Sequence, residues 1–110
     1  MIKYELIPEQ LVREGLINLD DLNSPHKVSE DVITQTHDIG YWTRMRDLKL
    51  SPAEIRRIGF PLSAALVERE LRIAQGTLNG CLHAIEHGIA FNVAGGTHHA
   101  GSNWGEGFCL

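Results

Sequence analysis

Two adjacent histidines, His98 and His99, follow a glycine pair, Gly95 and Gly96, in the run Asn92-Val93-Ala94-Gly95-Gly96-Thr97-His98-His99-Ala100. Imidazole titrates near neutrality, so two together suit proton transfer: one acts as the base while its neighbour stays charged or holds a tautomer. Adjacent residues of a regular strand point to opposite faces, and both rings reach one pocket only where the backbone is irregular. Gly95, Gly96 and Gly101 permit that irregularity. A glycine-rich surface loop with solvated histidines is the competing reading, and spacing alone leaves both open.

Other residues of the same chemical types have plainer explanations. His83 and His87 have the i, i+4 spacing of a helical metal pair, but a core face through Leu78, Cys81, Leu82 and Ile85 turns both toward solvent. Near a helix C-terminus a protonated imidazole also suits the dipole. His37 and Asp38 read as a helix entry, the aspartate capping and the histidine bonding nearby backbone. Glu106 reads as a solvated loop acid, and Arg56, Arg57, Arg69 and Arg72 as exposed helix charges. Cys109 reads as a small buried apolar residue, not as a nucleophile.

The elements that must position the histidines can be read from periodicity and caps. Residues 7–15 predict a short helix with Pro8 near its first turn and Gly15 as its stop, and residues 16–27 a loop rich in Asn, Asp, Ser and Pro. Ser29 predicts a cap for a helix from Glu30. Asp38 predicts a cap for another, in which Tyr41, Trp42, Met45 and Leu48 recur at helical spacing. Ser51, Pro52 and Glu54 form a capping-box pattern ahead of a helix that ends at Gly59. Ser63 then opens a long amphipathic helix to about Gly88, with Val67, Leu71, Ala74, Leu78, Cys81, Leu82 and Ile85 on one face. Gly76 and Gly80 weaken it in isolation, so either a neighbour approaches closely there or tertiary contacts hold the helix. Residues 89–94 predict a buried strand, which places the His98–His99 loop at its carboxyl end, where open α/β sheets bind ligands. A second strand over residues 32–36 is the alternative to the helix from Glu30. The expected fold is α/β but incomplete, since one or two strands among many helices do not make a sheet.

Composition narrows the function. A chain of 110 residues holds one domain at most, and a net charge of −4 leaves no basic surplus for a phosphate backbone. No apolar run reaches membrane-spanning length and no signal peptide is visible. Cys81 and Cys109 suggest no disulfide framework. A cytoplasmic protein without direct nucleic-acid or membrane contact is the expectation.

The run from Asn92 to Ala100, with its sequel Gly105-Glu106-Gly107-Phe108-Cys109-Leu110, resembles the Gly-Gly-x-His-His-Ala…Gly-Phe-Cys signature of the zinc-dependent histone deacetylase superfamily. Upstream, the stretch from Lys3 to Leu11, Thr36-His37-Asp38-Ile39-Gly40-Tyr41-Trp42 and Ile58-Gly59-Phe60-Pro61-Leu62-Ser63 are similar to its class IV-like bacterial branch, relatives of the acetoin-utilisation and acetylpolyamine amidohydrolase proteins. The resemblance implies an arginase/deacetylase-like open parallel sheet with flanking helices, of which residues 1–110 are an incomplete N-terminal portion. It implies His99 as general base, His98 as its electrostatic support, Phe108 and Gly107 as tunnel wall against an acetylated lysine or small amine, and Gly95 and Gly96 as the loop's close approach. A Zn²⁺ ion is implied for the parent enzyme. Its Asp-x-His and Asp ligands have no match in this chain, so the expectation is that the 110 residues alone bind no catalytic zinc, and that a non-catalytic, self-associating piece is the alternative.

Overall fold

The protein, seen in a computed structural model, is described over residues 3–94 and 99–110. Its elements are α1 (Lys3–Arg13), a 3₁₀ turn (Leu19–Asp21), α2 (Glu30–Ile33), α3 (Ile39–Arg46), α4 (Pro52–Ile58) and α5 (Ala64–His87).

Local chemistry sets most of the helix ends. The Asp38 carboxylate accepts from the Tyr41 amide at 2.8 Å, and the Ser63 hydroxyl from the Leu66 amide at 3.1 Å, each satisfying a donor that a helix N-terminus leaves over. The box on α4 is complete: the Ser51 amide donates to Glu54 at 2.7 Å and the Glu54 amide to the Ser51 hydroxyl at 3.3 Å. Those bonds to Ser51, with Arg44 2.9 Å away, hold the Glu54 carboxyl down at about 2. Gly59 and Gly88 end α4 and α5 with φ of 88° and 93°, a region open to glycine at little cost. The helical reading of residues 30–33 is the one the structure adopts, although the Ser29 side chain makes no capping bond.

Two expectations about helix content need correction. α1 starts at Lys3, not Ile7, so Pro8 lies inside it, where it donates no helical hydrogen bond. Leu48 is not on the buried face of α3. That helix stops at Arg46, Leu48 turns left-handed at φ 59° and is 44% exposed, and Leu50 fills the core instead.

The core gathers Tyr41, Trp42 and Met45 of α3 with Leu50, Ile58 and Val67, and Ile33, Phe60, Leu71 and Leu110 close around it. Glu30 clips α2 to α3 by accepting from Trp42 Nε1 at 2.8 Å and Arg46 at 2.9 Å, which lowers its carboxyl pKa. Residues 25–28 lie along α5: the Val28 amide donates to Leu71 O at 3.1 Å, and Arg72 to Pro25 O at 2.9 Å. Arg72 also pairs with Glu68, and Arg69 with Glu70, so both arginines are half-buried and engaged rather than plain exposed charges.

The largest departure concerns α5 and the residues after it. The apolar face of this helix is buried only at the start. Leu66 and Val67 are enclosed, whereas Leu78, Leu82 and Ile85 are 41%, 67% and 83% exposed. Residues 89–94 form no strand, with Ile89 65% and Phe91 84% exposed, because no second strand among the described residues stands beside them to pair. Among the described residues the sole β pairing is an isolated antiparallel bridge between Ala100 and Gly105. The 89–94 segment instead runs back over α5. Asn92 donates to Ile73 O at 3.0 Å and to the Thr77 hydroxyl at 2.9 Å. A Cβ on Gly76 would stand 3.3 Å from Asn92 Nδ2, and one on Gly80 3.7 Å from Ala90 Cβ. This segment is the close neighbour at Gly76, whereas at Gly80 a Cβ would make an ordinary contact with it.

Candidate active-site segment

Of the six residues singled out for the site, Gly95, Gly96 and His98 lie outside the described residues. His99, Gly107 and Phe108 are described, and the structure brings them together.

Their platform is the C-terminus of α4. A helix end leaves its last carbonyls without intrahelical donors. Here Arg57 O accepts from the Gly107 amide at 3.1 Å and Ile58 O from the Phe108 amide at 2.7 Å. The segment therefore caps α4, and α4 in turn fixes the segment. Gly107 and Phe108 have φ of 56° and 70°; for phenylalanine this left-handed backbone costs roughly 1–2 kcal/mol. The strained backbone throws the Phe108 ring across the chain reversal after α4. Its Cε1 lies 3.0 Å from where a Gly59 Cβ would stand, and its centroid is 4.9 Å from that of Phe60, with the rings inclined by 53°. Phe108 is still 58% exposed, so one face of the ring is held and the other is open.

His99 joins this wall through backbone and ring contacts. Its carbonyl accepts from the Glu106 amide at 2.9 Å. Its Cδ2 would meet a Cβ on Gly107 at 3.5 Å, so the imidazole lies against the bare backbone of that residue. The intervening turn is tied down on both sides: the Gly101 amide donates to Trp104 O at 2.9 Å, and the Asp38 amide to Ser102 O at 2.7 Å. Cys109 is buried at 4% exposure, as a small apolar residue should be.

Arg57 is the residue that spacing did not reveal. Its guanidinium bonds Glu106 at 3.0 Å and stacks 5.0 Å from the Trp104 ring, while its carbonyl holds Gly107. Glu106 is thus an ion-pair partner of α4 and not a free loop acid. The two residues are 49 positions apart, and nothing local in the sequence joins them. His37 also departs from expectation: its Nδ1 is buried and makes no hydrogen bond to the described residues.

A separate apolar groove of about 370 Å³ lies between α2, α3 and α5, lined by Val28, Ile33, His37, Tyr41, Leu71 and Leu78 among others, and by none of His99, Gly107 and Phe108. Among the described residues no three His, Cys, Asp or Glu side chains converge as metal ligands. The described residues therefore supply no ligand set for the zinc ion that the resemblance implies.

Fold and site define a helical platform that presents a histidine beside a half-open aromatic wall at the end of a short capped helix. The histone deacetylase domain matches the chain over residues 1–110. The chain belongs to that family. An uncharacterized protein of Picosynechococcus sp. (strain ATCC 27264 / PCC 7002 / PR-6) is 37% identical over 110 residues, which are 100% of this chain and 37% of that protein. The chain thus spans just over a third of the length of this relative.

Proposed function

We propose that the chain supplies the proton-transfer loop and one substrate wall of a zinc-dependent deacetylase domain that cleaves acetyl-lysine or an acetylated small amine. What carries the reading is the meeting of His99, Gly107 and Phe108: two motifs separated in sequence converge on one surface. In the reaction, water adds to the acyl carbon, the carbon–nitrogen bond breaks, and a proton passes from the water to the departing amine. His99 is the group that takes and returns that proton. His98 stays charged or holds the tautomer of its neighbour. Phe108 offers its open face to the apolar stem of the acylated side chain, and Gly107 leaves room for it. A zinc ion held by ligands outside these residues would supply the polarisation of the carbonyl and the acidification of the water. The α/β sheet belongs to the same reading, with residues 1–110 as the N-terminal portion of one catalytic domain.

The test is a chimera of the cyanobacterial relative in which this chain replaces its matching segment. The chimera is expected to deacetylate an acetyl-lysine peptide, and His99→Ala to lower kcat by about 10²-fold or more. A folded chimera that works equally well with His99→Ala would overturn the assignment. The 110-residue chain by itself is expected to be inactive; turnover by it, sensitive to a chelator and to His99→Ala, would contradict that.

A second reading, a non-catalytic piece that associates with copies of itself, is favoured by the exposure of Leu82, Ile85, Ile89 and Phe91 along α5 and the segment after it. No helix among the described residues is long and apolar enough to cross a membrane.

A further inference from the structure

The deacetylase reading leaves one pair of side chains without a role. His83 and His87 lie near the end of α5, both exposed, with ring centroids 4.2 Å apart and planes inclined by 41°. Residues i and i+4 of a helix project from the same face. A divalent first-row ion sits about 2.0–2.1 Å from an imidazole nitrogen, hence roughly 3.2 Å from the ring centroid. In the square-planar or tetragonal arrangement of Cu²⁺ or Ni²⁺, two imidazoles in neighbouring positions about 90° apart have centroids roughly 4.5 Å apart, whereas tetrahedral zinc would set them roughly 5.2 Å apart. The rings of His83 and His87, 4.2 Å apart, stand close to the first of these separations. The Glu86 carboxylate lies 3.7 Å from His87 Nε2 and sets a negative charge beside a nitrogen able to ligate.

We propose that His83 and His87 form a two-imidazole chelate for a divalent first-row transition ion, with Glu86 as an outer-sphere anion. Two protein ligands, rather than the three or four of a catalytic or structural zinc site, leave the remaining positions to water. Such a site takes Cu²⁺ in preference to Ni²⁺ or Zn²⁺, in the general order of affinity for nitrogen ligands. It is separate from the catalytic zinc of the family and uses no residue of the His98–His99 loop. Because the two rings are neighbours only when the last turns of α5 are helical, the ion binds the folded state and stabilises that end of the helix.

Calorimetric titration of the whole chain with Cu²⁺, paired with thermal melts monitored by circular dichroism, tests the proposal. One ion per chain and a rise in Tm are expected. His83→Ala and His87→Ala, at exposed positions where alanine favours helix, are each expected to weaken binding by about tenfold or more and to remove the rise. A variant carrying both His98→Ala and His99→Ala is expected to bind as the unaltered chain does. Absence of binding by the unaltered chain, binding undiminished in His83→Ala and His87→Ala, or binding that the His98/His99 variant also abolishes would overturn it.

Discussion

Tyr41 is 1% exposed at the centre of the core, and its hydroxyl is buried with no hydrogen-bond partner among the described residues. Burial pushes the phenol from 10.0 up to about 12. A raised folded-state pKa means that the neutral form is the one the fold favours. Its contribution to stability is complete below pH 10 and is lost as the pH rises through about 12. Removing an unsatisfied buried hydroxyl without changing shape is nearly neutral or stabilising. Tyr41→Phe is therefore expected to keep or raise Tm at pH 7 and to flatten the alkaline loss of stability above pH 10, as melts across that range will show. A loss of more than about 1 kcal/mol at pH 7 would mean that the hydroxyl has a partner after all. The family motif that contains His99 and Phe108 was legible at this scale, because residue type and order carry it. Arg57 was not: its partners Glu106 and Trp104 lie far along the chain.

Among the elements, helix ends were the most legible, since caps are written within four residues. Ser51, Glu54, Asp38, Ser63, Gly59 and Gly88 all sit where their chemistry predicts. Local signals misled at α1, where Pro8 stands inside the helix it was expected to open, at Ser29, whose side chain makes no capping bond, and at Leu48, which lies past the end of α3. The two glycines of α5 separate local from tertiary demands. A Cβ at Gly80 makes an ordinary 3.7 Å contact with Ala90, whereas at Gly76 it meets Asn92 at 3.3 Å and Pro25 at 3.5 Å. Alanine is better than glycine in a helix interior by about 1 kcal/mol. Gly80→Ala is thus expected to stabilise the chain by roughly 0.5–1 kcal/mol in chemical denaturation. A decrease would show that the 89–94 segment packs more tightly on α5 than these distances indicate.

For the whole molecule, the decisive fact is the apolar surface that the 110 residues leave uncovered. Leu82, Ile85, Ile89 and Phe91 are 65% exposed or more, along the second half of α5 and the segment after it. A contiguous exposed apolar patch is one that a partner or a second copy can cover. Light scattering of the chain is expected to give a mass above that of one copy, and Ile85→Glu with Phe91→Glu to return it to one. A single-copy mass for the unaltered chain would remove self-association from consideration.

What the sequence by itself determined was local and repetitive: the caps, the helical periods, and the order of two motifs that mark the deacetylase family. A cap needs one side chain and one nearby amide, and a motif needs only residue types in order. Tertiary structure alone decided which predicted faces are buried, because burial depends on a partner surface. Residues 89–94 have the composition of a buried strand, yet a strand is completed by hydrogen bonds to another strand, and none of the described residues supplies one. It also decided that Gly107 and Phe108 cap α4, a contact made across some fifty residues, and so set His99 against the aromatic wall.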